Sequence, residues 1–420
     1  MLSASGRKTL IQNFLALAII QGTNFLLPLI LMPYLNSSIG IDKFGVVSLI
    51  QTVMIFLGTF TDFGFNLSAT REISIHKNDA ERTTFIFNKV IIIKLLLCLV
   101  AFVVLVIIAL VVPKFYKDFW GYILGFSIVL GQVLLPVWFF QGLEKMKYLT
   151  YLNVIAKIVF TILIFIFVKE PNDYLLVLLF FGLGNIVSGI LGIWLAYKQL
   201  EKPSFQFPSK AIIQKELKDG WHLFVANFSI MSYIHSNLLI LSLFANDYLL
   251  GIYSIAEKTS LAMRQILVVL SQAIYPKVCQ FAQESHQNLR AFYKKLFIPF
   301  FGLYFLFSCS VFIFADFTVF ILAKKYIPEA AHLLRLLCFT PLIVGFNIPA
   351  YQTLLAYEHQ KSYMLILSLG SLLNVFLNLG LSWVFQAHGT AISIIITEIF
   401  ITVGLHLILH KKHPKERLFV

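Results

Sequence analysis

The sequence predicts an all-α integral membrane protein with twelve transmembrane helices in two pseudo-symmetric six-helix lobes. Of the 420 residues, 59% are hydrophobic and only 13% are charged, whereas roughly a quarter of a soluble domain is charged. Apolar stretches of about 20 residues, the length that a bilayer requires, recur twelve times along the chain. Short sequence features also repeat between the two halves at similar spacing.

The longest connection between predicted spans is lysine-rich and amphipathic, which is typical of a short helix on the membrane surface. It divides the spans six and six. We therefore predict an N-terminal six-helix lobe over 1–198, a cytoplasmic amphipathic linker over 199–219, and a C-terminal six-helix lobe over 220–420 with a short cytoplasmic tail. The predicted spans are 9–35, 44–70, 86–112, 119–141, 149–168, 174–197, 220–245, 250–276, 295–315, 330–356, 362–385 and 389–410.

The two predicted lobes begin equivalent spans with similar residues. FGVVS at 44–48 corresponds to LGIYS at 250–254, with an offset of 206, and EKMK at 144–147 corresponds to EHQK at 358–361, with an offset of 214. Because six spans is an even number, the second lobe enters the membrane in the same orientation as the first. Parallel repeats of this kind are related by an axis along the membrane normal, and we expect the substrate path between them.

Lysines and arginines are distributed unevenly. Of the 33, five fall in the interior of predicted spans and six in loops on one predicted side, and the remaining 22 lie in the termini, in loops on the other side or at the span ends that adjoin those loops. The positive-inside rule then predicts that both termini are cytoplasmic. The net charge of +13 is explained by this topology, so it does not indicate a nucleic-acid partner.

The eighth span, 250–276, carries Glu257, Lys258 and Arg264 within its own length. Arg264 lies near mid-depth, where an arginine that faces lipid costs roughly 3 kcal/mol. Glu257 and Arg264 are two helical turns apart and therefore share a face. Since such charges need a polar surrounding, this span is typical of a transporter.

Four charged residues in other spans each have two possible roles. Lys94 and Lys157 either line a cavity or reach the interface by extending their long side chains. Arg335, near the outer end of the tenth span, either contacts substrate or anchors at the interface. Glu398 lies too deep for its short side chain to reach water, so it is either paired with a buried base such as Arg264 or protonated.

Two charged residues near the cytoplasmic end of the second span form a predicted cytoplasmic gate. Asp62 lies about 27 Å along that helix and is placed to pair with a lysine across the lobe interface. Arg71 stands beside Glu72, so an ordinary loop ion pair is its alternative role.

The sequence lacks the marks of an enzyme or a metal site. It shows no paired carboxylates at the outer face, no glycine-rich phosphate loop and no nucleophile–base spacing. The four cysteines lie far apart, without metal-ligand or redox spacing. We therefore expect no catalytic residue, no metal and no cofactor.

Five stretches resemble the Wzx-type O-antigen flippases. These proteins form part of the polysaccharide-transporter branch of the multidrug/oligosaccharidyl-lipid/polysaccharide exporter superfamily. The stretches are PLILMPYL (28–35), IGIDKFGVVS (39–48), FGFNLSATREIS (63–74), VWFFQGLEKMKY (137–148) and GIYSIAEK (251–258). The resemblance extends over all twelve spans and is densest in the first five.

This resemblance implies a MATE-like fold in the bacterial cytoplasmic (inner) membrane and a role in polysaccharide and lipopolysaccharide biosynthesis. Members of the family move undecaprenyl-diphosphate-linked oligosaccharide units from the inner to the outer leaflet by alternating access. The expected partners are the lipid-linked oligosaccharide, H⁺ or Na⁺ as coupling ion in an antiporter, membrane lipid, and the polysaccharide polymerase with its chain-length machinery.

In this family, cationic residues of the central cavity are the usual substrate contacts. The matched positions in this sequence are Arg71 and the polar residues Glu257, Lys258 and Arg264, and depth in the membrane adds further candidates. The predicted substrate-binding residues are Arg264, Lys258, Lys94, Lys157 and Arg335, and the predicted ion-coupling residues are Glu398 and Glu257.

Two alternative functions stay open. A multidrug or organic-cation exporter of the same fold is disfavoured, because five basic residues within the spans outnumber Glu257, Glu398 and Asp62, and basic side chains match a diphosphate. A membrane polymerase or glycosyltransferase of the same pathway would need a sizeable extramembrane region to hold sugars, whereas the predicted outer loops are short.

Overall fold

The computed structural model describes residues 22–23, 27–200 and 205–413. Every regular element in these ranges is helical, which confirms the predicted all-α class. Nine stretches of the described residues are long and apolar enough to cross a membrane. The number of twelve spans stays a prediction, since most of the first predicted span lies outside the described residues.

The chain forms two compact units, Met1–Met231 and Ser232–Val420. The first unit holds α1 (27–38), α2 (Gly40–Asp62), α3 (Phe65–His76), α4 (Ala80–Val111), α5 (Pro113–Lys117), α6 (Phe119–Leu134), α7 (Val137–Gly142), α8 (Met146–Phe167), a 3-10 turn (Pro171–Asp173), α9 (Tyr174–Gln199) and most of α10 (Lys210–Leu241). The second unit holds the end of α10, α11 (Asp247–Glu284), α12 (His286–Ile313), α13 (Ala315–Ala323), α14 (Pro328–Leu337), α15 (Thr340–Ala356) and α16 (Gln360–Lys412).

The second predicted span is interrupted, which its apolar pattern did not predict. Phe63 (φ 47°) and Gly64 (φ 84°) adopt left-handed backbone conformations between α2 and α3. Positive φ is uncommon for a bulky residue, but here packing holds it, because the Phe63 ring stacks on Phe224 with centroids 4.7 Å apart. A Cβ on Gly64 would approach Leu223 Cβ to 2.8 Å, so this position also requires glycine for space.

The fourth predicted span is interrupted as well, at Leu135 and Pro136 between α6 and α7. Pro136 has no N–H to donate, which breaks the helical ladder at this point. Before the break, α6 packs closely against α9. The approach is close because Gly131 has no side chain: a Cβ there would lie 2.4 Å from the Asn185 carbonyl carbon. Small residues allow membrane helices to pack backbone against backbone.

The predicted amphipathic linker is not a separate element. Its residues from Lys210 onward form the first turns of α10, which continues without a break to Leu241. Ile213 and Leu217 pack against the aromatic core of the first unit, so the apolar side of this segment contacts protein. The position of this segment relative to the membrane surface stays a prediction.

The last two predicted spans form a tight antiparallel hairpin inside α16. Gln386 has non-helical angles (φ 48°, ψ −125°) and separates the two halves. A Cβ on Gly389 would lie 2.0 Å from the Leu381 carbonyl oxygen, so only glycine allows the halves to approach this closely. The turn agrees with the predicted boundary between 362–385 and 389–410, and it brings the second half of α16 back along the first.

Candidate functional site

A buried ion pair lies in the interior of the second unit. Arg264 Nη1, on α11, donates a hydrogen bond to Glu398 Oε1, on the second half of α16, over 3.1 Å. The Glu398 side chain is only 2% exposed and that of Arg264 is 25% exposed. The second carboxylate oxygen, Glu398 Oε2, is also buried. Of the two states predicted for Glu398, the structure therefore shows the one paired with Arg264.

The ring of Tyr233, on α10, faces the guanidinium group. Arg264 Cζ lies 5.7 Å from the ring centroid, within the range of a cation–π interaction. Tyr233 is itself 8% exposed. The guanidinium is thus held between a carboxylate and an aromatic ring, which together compensate for its removal from water.

A small cavity adjoins the ion pair. Its volume is about 40 Å³, and since one water needs roughly 10–15 Å³ by this measure, it has room for a few water molecules or one small ion. A diphosphate with its sugars does not fit. Its polar lining residues are Glu257, Arg264, Glu398, Tyr233, Asn237, Ser260, Thr340 and Asn374. Glu257 and Arg264 therefore line the same cavity, as their two-turn spacing predicted, and Glu257 accepts a hydrogen bond from Tyr253 over 3.2 Å.

A chain of buried polar side chains extends from this cavity towards the turn at Gln386, and sequence analysis did not identify it. Asn378 Nδ2 donates to Asn237 Oδ1 over 3.1 Å, Ser382 donates to Asn378, and Ser382 and Thr390 share a hydrogen bond of 2.7 Å. The signal was present in the spacing: Asn374, Asn378 and Ser382 recur every four residues on one face of an apolar helix.

Lys94 forms a buried ion pair, and its role as a substrate contact stays a prediction. Its Nζ lies 3.1 Å from Asp62 Oδ1, and the Lys94 residue is 3% exposed. Both residues belong to the first unit. The expected pairing of Asp62 across the lobe interface is therefore wrong, because the partner is supplied by the neighbouring helix α4 at the point where α2 ends.

The remaining predicted substrate contacts lie apart from the cavity lining. Arg335 Nη2 lies 2.5 Å from Asp316 Oδ2, and Arg335 Nε donates to the Phe312 carbonyl oxygen over 3.3 Å. Lys157 on α8 and Lys258 on α11 are half-buried.

At the predicted gate, Arg71 is exposed on α3, while its neighbour Glu72 takes part in an ion-pair cluster. Lys89 Nζ lies 2.8 Å from Glu72 and 2.7 Å from Glu216. Lys89 is 2% exposed and connects α3, α4 and the first turns of α10. Lys89 and Glu216 were not predicted, since their contact depends on residues 127 positions apart.

Comparison with known proteins identifies the family and the fold. A family model described as "Polysaccharide biosynthesis protein" matches residues 10–282. Two relatives carry the name "Putative O-antigen transporter". The one from Shigella dysenteriae is 29% identical over 392 residues, which cover 93% of this chain and 98% of the relative. The one from Escherichia coli K12 is 27% identical over 404 residues, which cover 95% of this chain and 96% of the relative.

Solved transporters share the fold. The lipid II flippase MurJ superposes with a TM-score of 0.72 at 13% identity, over 95% of this chain and 87% of that one. A multidrug resistance MATE family transporter of the MOP superfamily gives 0.65 at 12% identity, over 97% and 100%. The predicted MATE-like membrane fold is therefore confirmed. Because the family model matches well over half of its length, the chain belongs to the polysaccharide biosynthesis protein family, as its resemblance to Wzx-type flippases implied.

Proposed function

We propose that this protein flips undecaprenyl-diphosphate-linked oligosaccharide, an O-antigen or related repeat unit, from the inner to the outer leaflet of the bacterial cytoplasmic membrane. The mechanism is alternating access, and both termini are cytoplasmic. The relatives named as O-antigen transporters match over nearly the whole chain, and the shared fold includes a lipid II flippase. The protein acts as a transporter and not as an enzyme.

The observation that carries this proposal is Arg264, a cation held deep within an apolar unit and neutralised by the single carboxylate of Glu398. An intramembrane arginine is costly and is retained where it serves a substrate or ion pathway. A guanidinium matches the oxygens of a phosphate with two parallel hydrogen bonds. Arg264 therefore suits the diphosphate of the lipid-linked substrate.

The small volume of the cavity adds a condition on how that contact forms. At about 40 Å³ it admits a few waters, so substrate reaches Arg264 only when the cavity widens and the bond to Glu398 is released. In the proposed cycle the diphosphate replaces the carboxylate on Arg264, and Glu398 then takes up H⁺ or Na⁺. This exchange links substrate binding to the ion gradient through one pair of side chains.

The charge argument against an organic-cation exporter is weaker in the structure than in the sequence. Lys94, Arg264 and Arg335 each have a carboxylate within 3.1 Å, so much of the apparent basic excess is neutralised locally. What still favours the anionic substrate is the guanidinium of Arg264 in the cavity lining, together with the match to relatives named "Putative O-antigen transporter". A drug-susceptibility assay on a deletion strain separates the two: an exporter of cations changes resistance, and the proposed flippase does not.

Complementation tests the proposal directly. Expressed in a strain that lacks its own O-antigen flippase but makes a compatible lipid-linked unit, the wild-type protein should restore surface polysaccharide on a lipopolysaccharide gel. Inverted vesicles should then show uptake of the lipid-linked unit that depends on a proton or sodium gradient. Topology is tested with reporter fusions at Lys210 and Val420, which should be active only on the cytoplasmic side.

A further inference from the structure

An open, solvent-facing cavity lies in the first unit, where α10 crosses the break between α2 and α3. Its volume is about 830 Å³, within the usual range of roughly 300–1,000 Å³ for sites that hold small molecules and far larger than the cavity beside Arg264. It is lined by Phe63, Leu217, Lys218, Asp219, Trp221 and His222. We call this cavity the α10 groove.

The floor and rim of the α10 groove differ chemically. Phe63 and Leu217 provide an apolar floor, and both pack in the aromatic core of the unit. Lys218 and His222 are exposed and lie four residues apart, on one face of α10. Asp219 supplies the single acidic group of the lining. An apolar floor beside two nitrogen donors matches a phosphate that is attached to a lipid chain.

The groove is held in shape by aromatic packing. Trp221 lies 6.4 Å from the Phe63 ring and 5.5 Å from the Phe224 ring, between centroids, while 53% of its surface stays exposed. The backbone of Gly220 also lies close to this ring, since a Cβ there would lie 3.3 Å from Phe63 Cδ1. Trp221 therefore presents an exposed, fixed aromatic face next to Lys218 and His222, and such a face suits the flat side of a sugar ring.

We infer that the α10 groove is the first docking site for the phosphate–sugar head of the lipid-linked substrate, before that head reaches Arg264. The inference rests on the proposed function. Lys218 and His222 bind the phosphate oxygens, Trp221 stacks on the first sugar, and the apolar floor meets the start of the lipid chain. Size supports a separate first contact, because the open α10 groove has room for the head, whereas the cavity of about 40 Å³ at Arg264 does not.

Binding is measured on the purified full-length protein in phosphatidylcholine nanodiscs, with geranylgeranyl diphosphate as the probe. Its titration should change the tryptophan fluorescence saturably, and Trp221→Phe should remove most of that change. Lys218→Gln combined with His222→Gln should raise the half-saturating concentration about tenfold or more, since two hydrogen bonds to a charged group are lost. Lys215→Gln is the matched control: it removes a positive charge from the same helix outside the groove lining and should leave binding unchanged.

Two further measurements show whether the groove binds the lipid-linked diphosphate or any anionic membrane lipid. Geranylgeraniol, which lacks the diphosphate, should not produce the change, and nanodiscs that contain phosphatidylglycerol should still respond to the probe. If phosphatidylglycerol alone saturates the response, the groove is a general anionic-lipid site and the inference is overturned. Equal binding by the double variant and the wild type also overturns it.

Complementation separates this inference from the proposed function. If the wild type restores surface polysaccharide and the Lys218→Gln/His222→Gln variant restores it equally, the docking role is rejected while the flippase function stands. If the wild type does not restore polysaccharide, the flippase function is rejected, and with it the docking role that rests on it. If the double variant restores less surface polysaccharide than the wild type while Lys215→Gln restores it fully, the result supports both the flippase function and the docking role.

Discussion

Arg264 and Glu398 are 134 residues apart in the chain and 3.1 Å apart in the structure, joined by one hydrogen bond from Nη1 to Oε1. The pair is the meeting point of α11 and the returning half of α16. Because Glu398 is almost fully buried, its charge depends on Arg264 for compensation. If the guanidinium moves away from Glu398, the carboxylate must therefore bind H⁺ or another cation instead.

Replacing Arg264 tests the diphosphate contact. Arg264→Ala should abolish transport of the lipid-linked unit into inverted vesicles, and Arg264→Lys should keep part of it, because lysine keeps the charge but loses the planar fork. Arg264→Ala also leaves Glu398 unpaired, so it should be combined with Glu398→Gln to preserve folding. Arg335→Ala, which removes an arginine outside the lining of the Arg264 cavity, should keep transport. Normal transport by a folded Arg264→Ala/Glu398→Gln protein would exclude Arg264 from the substrate path.

Glu398→Gln tests ion coupling, since glutamine keeps the size and one acceptor oxygen but cannot take up a proton. If Glu398 couples transport to the gradient, the variant should fold and bind substrate but lose its gradient-driven uptake and its response to pH. If the pair is only structural, the variant should instead lose stability by roughly 3–5 kcal/mol, the cost of leaving a buried cation unpaired. Thermal unfolding in detergent and vesicle uptake, measured together, separate the two results, and unchanged ion-driven transport would reject coupling.

The Lys94–Asp62 pair is open to a double-mutant test. Asp62→Asn leaves the buried Lys94 ammonium uncompensated and should destabilise the first unit by roughly 3–5 kcal/mol. Lys94→Met combined with Asp62→Asn should recover most of that loss, because the buried charge is gone. If the double variant is stable but does not transport, the pair has a functional role. If it is both stable and active, the pair has a structural role. No destabilisation by Asp62→Asn would contradict the buried pair.

Gly389→Ala tests the hairpin of α16. The added Cβ would overlap the Leu381 carbonyl group, so the two halves must separate, and we expect a loss of about 1–3 kcal/mol or more. Gly380→Ala on the same hairpin is the control, since a Cβ there meets no atom within 4 Å. Fluorescence-detected thermal stability should fall for Gly389→Ala only. If the two variants had the same melting temperature, the close approach of the two halves at Gly389 would be contradicted.

The sequence by itself determined the class of the protein and much of its local organisation. Uninterrupted apolar stretches can bury their backbone in a bilayer only as helices, so the all-α membrane class followed from composition and hydropathy. The boundary between the last two spans was marked by Gly389 and its polar neighbours. The two-turn spacing of Glu257 and Arg264 placed them on one face, and they do line one cavity.

Only the tertiary structure decided which charges compensate one another. Glu398 required a partner by its depth alone, but its pairing with Arg264 depends on how α16 turns at Gln386, which no local pattern specifies. Lys94 and Asp62 were predicted in separate roles because their helices give no signal of mutual packing. The break at Phe63 was hidden for the same reason: a phenylalanine adopts positive φ there because its ring stacks on Phe224, a contact made 161 residues later in the chain.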